Sequence, residues 1–208
     1  IEILYQRQAK KIINIDINSN ESDKAEFFKC DVGDNLQLKS VIDKLYKEYD
    51  NIDLVCSNAG VAEDDDALAT VDHWDKVWKI NVLQHTNLVR NCIPRMLKNN
   101  LGWFLITASA AGLLSQVGSA TYSTTKHAAV GFAEWLSITY GNLGIGVSLL
   151  CPQGVNTPMT ENIKNGGVAG INGMLEAEEV AKISLDQMAM GKFLITPHEI
   201  VRKYLKIK

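Results

Sequence analysis

The 208-residue sequence has no apolar run longer than a β-strand, so no segment of it is long enough to cross a bilayer as a helix. It has no cluster of lysine and arginine, and its formal net charge is -3 at pH 7. Nucleic acid and anionic membrane surfaces are therefore not expected partners. A secretory leader pattern is lacking as well, which favours a cytoplasmic location. Cysteine is scarce: Cys30, Cys56, Cys92 and Cys151 stand without a CxxC pair or any metal-ligand spacing. They read as reduced, buried thiols, and no metal site is expected. Repeats and low-complexity segments are missing too. The one acidic run, Glu63-Asp64-Asp65-Asp66, is short and reads as a solvated loop rather than a cation site.

What is present is a 46% apolar content, enough for the core of one α/β domain over residues 1–208. Residues 1–9 are helix-like, Lys10–Ile17 and Ala25–Cys30 read as strands around a polar turn at Asn18–Asp23, and Asn35–Tyr49 has a helical apolar face. Strand Ile52–Ser57, helices at about 72–79 and 80–98, strand Gly102–Ala108, helix Tyr122–Tyr140 and strand Gly146–Cys151 follow, with a last short strand in Gly191–Pro197. Strands that are almost wholly apolar and alternate with helices predict a three-layer, Rossmann-like doubly wound parallel sheet with helices on both faces. In such a fold the ligand crevice lies beyond the carboxyl ends of the strands. Asp16, Asp31, Asn58, Ser109 and Pro152 all follow strand ends and should share that rim.

Within helix 122–140, Tyr122 and Lys126 stand four residues apart and so face the same way. A cation beside a phenol favours the phenolate and makes the tyrosine a candidate general acid/base. Ser109, at a strand end, could hydrogen-bond the same substrate oxygen. His127 adjoins the lysine, but no partner at triad or ligand spacing gives it a catalytic role.

Asn58-Ala59-Gly60, Asn81, Ser109 with Ala111-Gly112, the Tyr-xxx-Lys of Tyr122 and Lys126, and Pro152 to Thr157 occur in this order. On these motifs the chain resembles the classical short-chain dehydrogenase/reductase family over nearly its whole length. The resemblance implies an NAD(H)-dependent oxidoreductase acting on CH-OH groups, interconverting an alcohol and a carbonyl on a small to medium, largely apolar substrate. Tyr122 would exchange the proton, Lys126 would lower the tyrosine pKa and bind the nicotinamide ribose, Ser109 would hold the reacting oxygen, and Asn81 would hold a water linking Lys126 to solvent. The implied cofactor contacts are Asp16, Asp31, Val32, Asn58, Ala59, Gly60, Tyr122, Lys126, Pro152, Val155 and Thr157. Asp16 would accept from both adenosine ribose hydroxyls and repel a 2'-phosphate, so NAD is favoured over NADP. A homodimer or homotetramer is expected, pairing through the helices that carry Asn81 and Tyr122, with Trp135, Leu136 and Tyr140 available for contact or for the core.

The family's N-terminal strand and its Thr-Gly-xxx-Gly-x-Gly turn are not found in the sequence, and about 20–30 preceding residues are expected from typical element lengths. Neither Gly141–Gly146 nor Gly167–Gly173 replaces that turn: the first reads as a helix C-cap, the second as the family's substrate loop. Gln153 stands where the family usually has glycine. Leu113, Leu114, Val117, Met159 and Met174 could line an apolar pocket or pack as core. A non-catalytic dinucleotide-binding or scaffold protein is the alternative reading.

Overall fold

The computed structural model describes residues 1–19, 22–161 and 163–208. In chain order the elements are α1 (Glu2–Gln6), β1 (Ile13–Asp16), β2 (Glu26–Lys29), α2 (Asn35–Glu48), β3 (Leu54–Ser57), α3 (Val71–Trp78) and α4 (Gln84–Asn99). They continue with β4 (Gly102–Thr107), α5 (Ala120–Tyr140), β5 (Ile145–Leu150), β6 (Val155–Asn156), β7 (Leu175–Glu176), α6 (Ala177–Ala189), β8 (Leu194–Ile195) and α7 (Ile200–Ile207). Each expected strand is found, five of them shortened by one to five residues and the expected Gly146–Cys151 strand shifted one residue earlier at unchanged length. Asn20 and Glu21, in the expected turn between the first two strands, lie outside the described residues.

Every strand ladder is parallel. Strands β3, β4, β5 and β8 form one sheet in that order, while β1 and β2 pair as a separate two-stranded sheet. Alternation along the central strands decides which helices each face receives. Phe104 and Ile106 of β4, with Ile145, Val147 and Leu149 of β5, enter the large core formed with α2, α4 and α5. Leu105 and Leu150 point the other way and pack with Val180 and Ile195 beneath α6. Helices α2 and α4 pack together, as do α3 and α5, and α1 packs against α6. Among the described residues, no helix is long and apolar enough to cross a membrane.

Helix ends follow local chemistry. Asp34 caps α2 by accepting from the N–H groups of Leu36 and Gln37 at 2.8 and 3.2 Å. After α5 the chain turns at Gly144, whose φ of +79° is the left-handed conformation glycine adopts freely. The 141–146 segment is thus a helix stop, as expected. Between α3 and α4 the helix widens to a π-helical turn over Lys79–Leu83, which divides the two at the expected place.

One expectation needs correction, and two alternatives left open by the sequence are decided. Cys56 is exposed, because it points to the opposite side of β3 from buried Val55 and Ser57. Leu136 is completely buried, so on α5 it belongs to the core; Trp135 is 53% exposed and Tyr140 packs partly against the core. The apolar set near the rim is also divided. Leu113 joins the core and Val117 is exposed, while a Cβ added at Gly154 or Gly166 would fall 2.5 or 2.2 Å from the Met174 sulfur. The 165–173 loop closes around that side chain.

Candidate active site

Parallel strands bring their carboxyl ends to one edge, and the residues that follow them meet there. Lys126 is fully interior, and its ammonium donates to the Thr107 carbonyl at the end of β4 at 3.2 Å. It also stands 5.5 Å from the centre of the Tyr122 ring, the i,i+4 relation that the helix imposes. Ser109, two residues past β4, opens a 3₁₀ turn by accepting from the Ala111 N–H at 3.1 Å. The next strand end is joined to this turn through Ala110 N–H to the Pro152 carbonyl at 2.8 Å. Gly112 closes the turn against α5, where an added Cβ would lie 2.5 Å from the Lys126 carbonyl oxygen. Gly112→Ala is therefore expected to push Ser109 off the helix that carries Tyr122 and Lys126. Thermal unfolding and steady-state turnover check this: about 1–3 kcal/mol of stability should be lost and activity should fall. An active variant of unchanged stability would show that the close approach is dispensable.

The electrostatics differ from the simple expectation. Burial pushes the Tyr122 phenol above its ordinary value, and the Ser109 hydroxyl works against that rise. Burial also brings Lys126 down to about 8, so the ammonium sheds its charge more readily than an exposed lysine. The ammonium, 5.5 Å from the ring centre, is not among the groups that move the phenol, and the expected depression does not result.

The π-helical turn delivers Asn81, which is completely buried. Its Oδ1 accepts from Val61 N–H and its Nδ2 donates to the Val61 carbonyl, both at 2.9 Å, with a further bond to Thr125 Oγ1 at 3.1 Å. The amide is thus committed to the chain, and any water at this residue would have to use its backbone. Two neighbours extend the grip. Gln84 donates to the Ala59 carbonyl at 2.8 Å, and His85 Nδ1 lies 2.6 Å from Ser57 Oγ. Alternate residues 57, 59 and 61 are therefore held by His85, Gln84 and Asn81. Sequence reading singled out only Asn81; three polar side chains within one turn of a helix that is otherwise apolar on that face were the available signal. Burial drives His85 down to about 3, the Lys126 charge adding to the effect and the Asn81 carbonyl opposing it, so the imidazole is neutral. His127 donates from Nδ1 to the Ser123 carbonyl at 2.9 Å.

The other expected residues also lie at or after strand ends. Asp16 ends β1 exposed, and its Oδ1 accepts from Asn18 N–H at 3.0 Å. Asp31 accepts from Gly33 N–H at 2.8 Å, and Val32 packs against the core. Asn58 is exposed, and a Cβ at Gly60 would stand 3.3 Å from Lys126 Nζ. Val155 opens β6, and Thr157 N–H reaches Thr160 Oγ1 at 3.2 Å.

A doubly wound parallel sheet with serine, tyrosine and lysine on its carboxyl rim defines a Rossmann-like α/β protein of the short-chain type. Residues 2–167 match the short chain dehydrogenase family, and the chain belongs to it. The 17-beta-hydroxysteroid dehydrogenase 13 of Rattus norvegicus is 32% identical over 172 residues, which cover 81% of this chain and 56% of that protein. The 1-deoxy-11-beta-hydroxypentalenate dehydrogenase of Streptomyces exfoliatus is 29% identical over 187 residues, 85% of this chain and 66% of the relative. The chain thus spans little more than half the length of the first of these relatives. A short chain dehydrogenase/reductase from Burkholderia phymatum, solved with NAD, superposes with a TM-score of 0.78 at 25% identity, covering 88% of this chain and 74% of that one. A short chain dehydrogenase from Burkholderia cenocepacia, solved with NADP, gives a TM-score of 0.84 over 99% of this chain and 84% of that one; at 16% identity it is a likeness of fold alone.

Proposed function

We propose that this chain is an NAD(H)-dependent oxidoreductase that interconverts an alcohol and a carbonyl, with Tyr122 as acid/base and a small to medium, largely apolar substrate. The observation that carries the reading is the buried Lys126 ammonium 5.5 Å from the centre of the Tyr122 ring, with Ser109 at the adjoining strand end. The rim suits a dinucleotide. Among the described residues, the Lys126 ammonium has Thr107 as its acceptor, which leaves two of its three protons for ribose hydroxyls. Gly60 lets a ligand approach that ammonium without a side chain in the way. Asp16, Asp31, Val32, Asn58, Ala59, Pro152, Val155 and Thr157 would border the rest of the dinucleotide. When bound, its nicotinamide would supply or accept the hydride.

The protein's own part is proton transfer and orientation. Ser109 holds the reacting oxygen as charge develops there. With its pKa raised by burial, Tyr122 is a neutral phenol at neutral pH, suited to donating a proton during carbonyl reduction. Oxidation needs the deprotonated form, so its rate should climb with pH on the alkaline side while reduction falls. Pairing through α4 and α5, on which Trp135 is exposed, belongs to the same reading.

Asp16 makes the cofactor choice testable. A panel of apolar alcohols assayed by nicotinamide absorbance should show kcat/KM for NAD at least about tenfold above that for NADP, the scale of one unfavourable charge contact. The name of one relative, a hydroxysteroid dehydrogenase, recommends steroid alcohols for that panel. A preference for NADP would overturn the role given to Asp16.

A further inference from the structure

The acidic run after the cofactor-facing turn is not simply solvated. Asp64 and Asp66 are exposed, but the Asp65 side chain is only 6% exposed. Its Oδ1 accepts from the N–H groups of Ala120 and Thr121 at 2.5 and 3.1 Å, the first residues of α5. Its Oδ2 accepts from Thr121 Oγ1 and lies 3.0 Å from His73 Nε2 on α3. The Asp65 N–H donates to the Gly118 carbonyl at 3.0 Å. Ser119, the residue in the N-cap position, makes no capping bond of its own; its hydroxyl donates to the Glu63 carbonyl at 2.7 Å. The cap of this helix is therefore supplied from 55 residues away.

The first N–H groups of a helix have no partner within it, and the first turn frays unless a side chain takes them. In α5 that turn contains Tyr122, whereas Lys126 lies one turn further in and is tied to β4. What holds Ala120 and Thr121 thus sets the tyrosine relative to the lysine. The same loop begins at Val61, which Asn81 grips from below.

We propose that Asp65 is a positioning residue for the reaction, placing Tyr122 against Ser109 and Lys126 by capping α5 from the loop. This rests on the acid/base reading of Tyr122 given above. The test is steady-state kinetics on full-length protein carrying Asp65→Ala or Asp65→Asn, below the unfolding temperature of each. Asp65→Ala should lower kcat about ten- to a hundredfold, the cost of a misplaced reacting group, with the KM for cofactor nearly unchanged. Asp65→Asn keeps an acceptor for both N–H groups and should recover most of the loss, as capping residues interchange. Amide hydrogen exchange over 120–123 should quicken about tenfold in Asp65→Ala while the strands stay protected. If Asp65→Ala does not fold, Thr121→Val removes one contact to the carboxylate and should still lower kcat. An unchanged kcat in folded Asp65→Ala or Thr121→Val, with or without faster exchange, overturns the proposal and leaves Tyr122 its role. Wild-type protein that turns over no alcohol or carbonyl removes the reading of Tyr122, and this proposal with it.

Discussion

Tyr122→Phe is expected to lower kcat by about 10²–10⁴, the usual contribution of a positioned acid or base, and to leave the fold in place. Only an oxygen is lost; the ring keeps its packing and its place over the Lys126 ammonium. Loss of the phenolic oxygen should cost no more than about 1 kcal/mol of stability, the worth of one hydrogen bond, a shift of at most about 2–4 °C for a chain of this size. Cofactor affinity should change little, because the ribose contacts assigned to Lys126 remain. Stopped turnover with intact cofactor binding, measured by calorimetry and nicotinamide absorbance, is the expected pair of results. Substantial turnover by the phenylalanine variant would exclude Tyr122 as the proton carrier.

Lys126→Met should separate activity from stability. Methionine fills nearly the same volume without the charge, so turnover should drop at least as far as in Tyr122→Phe, yet at pH 7 the variant should be no less stable than the parent. Burial holds the lysine at about 8 in the folded protein against an ordinary value of 10.5. Below about pH 8 the folded protein carries a desolvated ammonium, and the penalty is fully present. Between about pH 8 and 10.5 the folded state loses its proton before the unfolded state does, and the penalty is relieved as pH rises. At about 1.4 kcal/mol per pKa unit the penalty at pH 7 is of order 3–4 kcal/mol. Leaving the Thr107 carbonyl without its donor offsets about 1–3 kcal/mol of the gain. Denaturant unfolding at pH 7 and pH 10 gives the decisive comparison: the parent should gain on the variant as pH rises. A variant clearly less stable at pH 7 and no pH-dependent change would sink the account of Lys126 as a strained, desolvated charge.

The serine, tyrosine and lysine were legible in the sequence because their geometry is local. Tyr122 and Lys126 are one helical turn apart, and Ser109 follows an apolar strand whose direction the fold class dictates. The parallel sheet was legible for the same reason, since strands buried on both faces are written as apolar runs. What escaped depends on contacts between distant segments. Asp65 looks like one member of a solvated acidic run until its partners, 55 and 56 residues on, are known. Gln84 and His85 look like surface residues of a helix unless the π-helical turn is foreseen, and Cys56 looks buried unless the cover over β3 is known. The raised phenol of Tyr122 is likewise a result of enclosure, which residue spacing does not report.

The π-helical turn over Lys79–Leu83 also governs which changes of chain length this region can absorb. It is one residue looser than an α-helical turn, and removing a single residue there would let the backbone relax into an unbroken α-helix. Everything on one side would then rotate by about 100° against the other. Asn81, Gln84 and His85 could no longer reach Val61, Ala59 and Ser57 together, although every one of those side chains would still be present. Substitutions along this helix can be weighed one side chain at a time; a one-residue deletion would disconnect all three from the strand end at once.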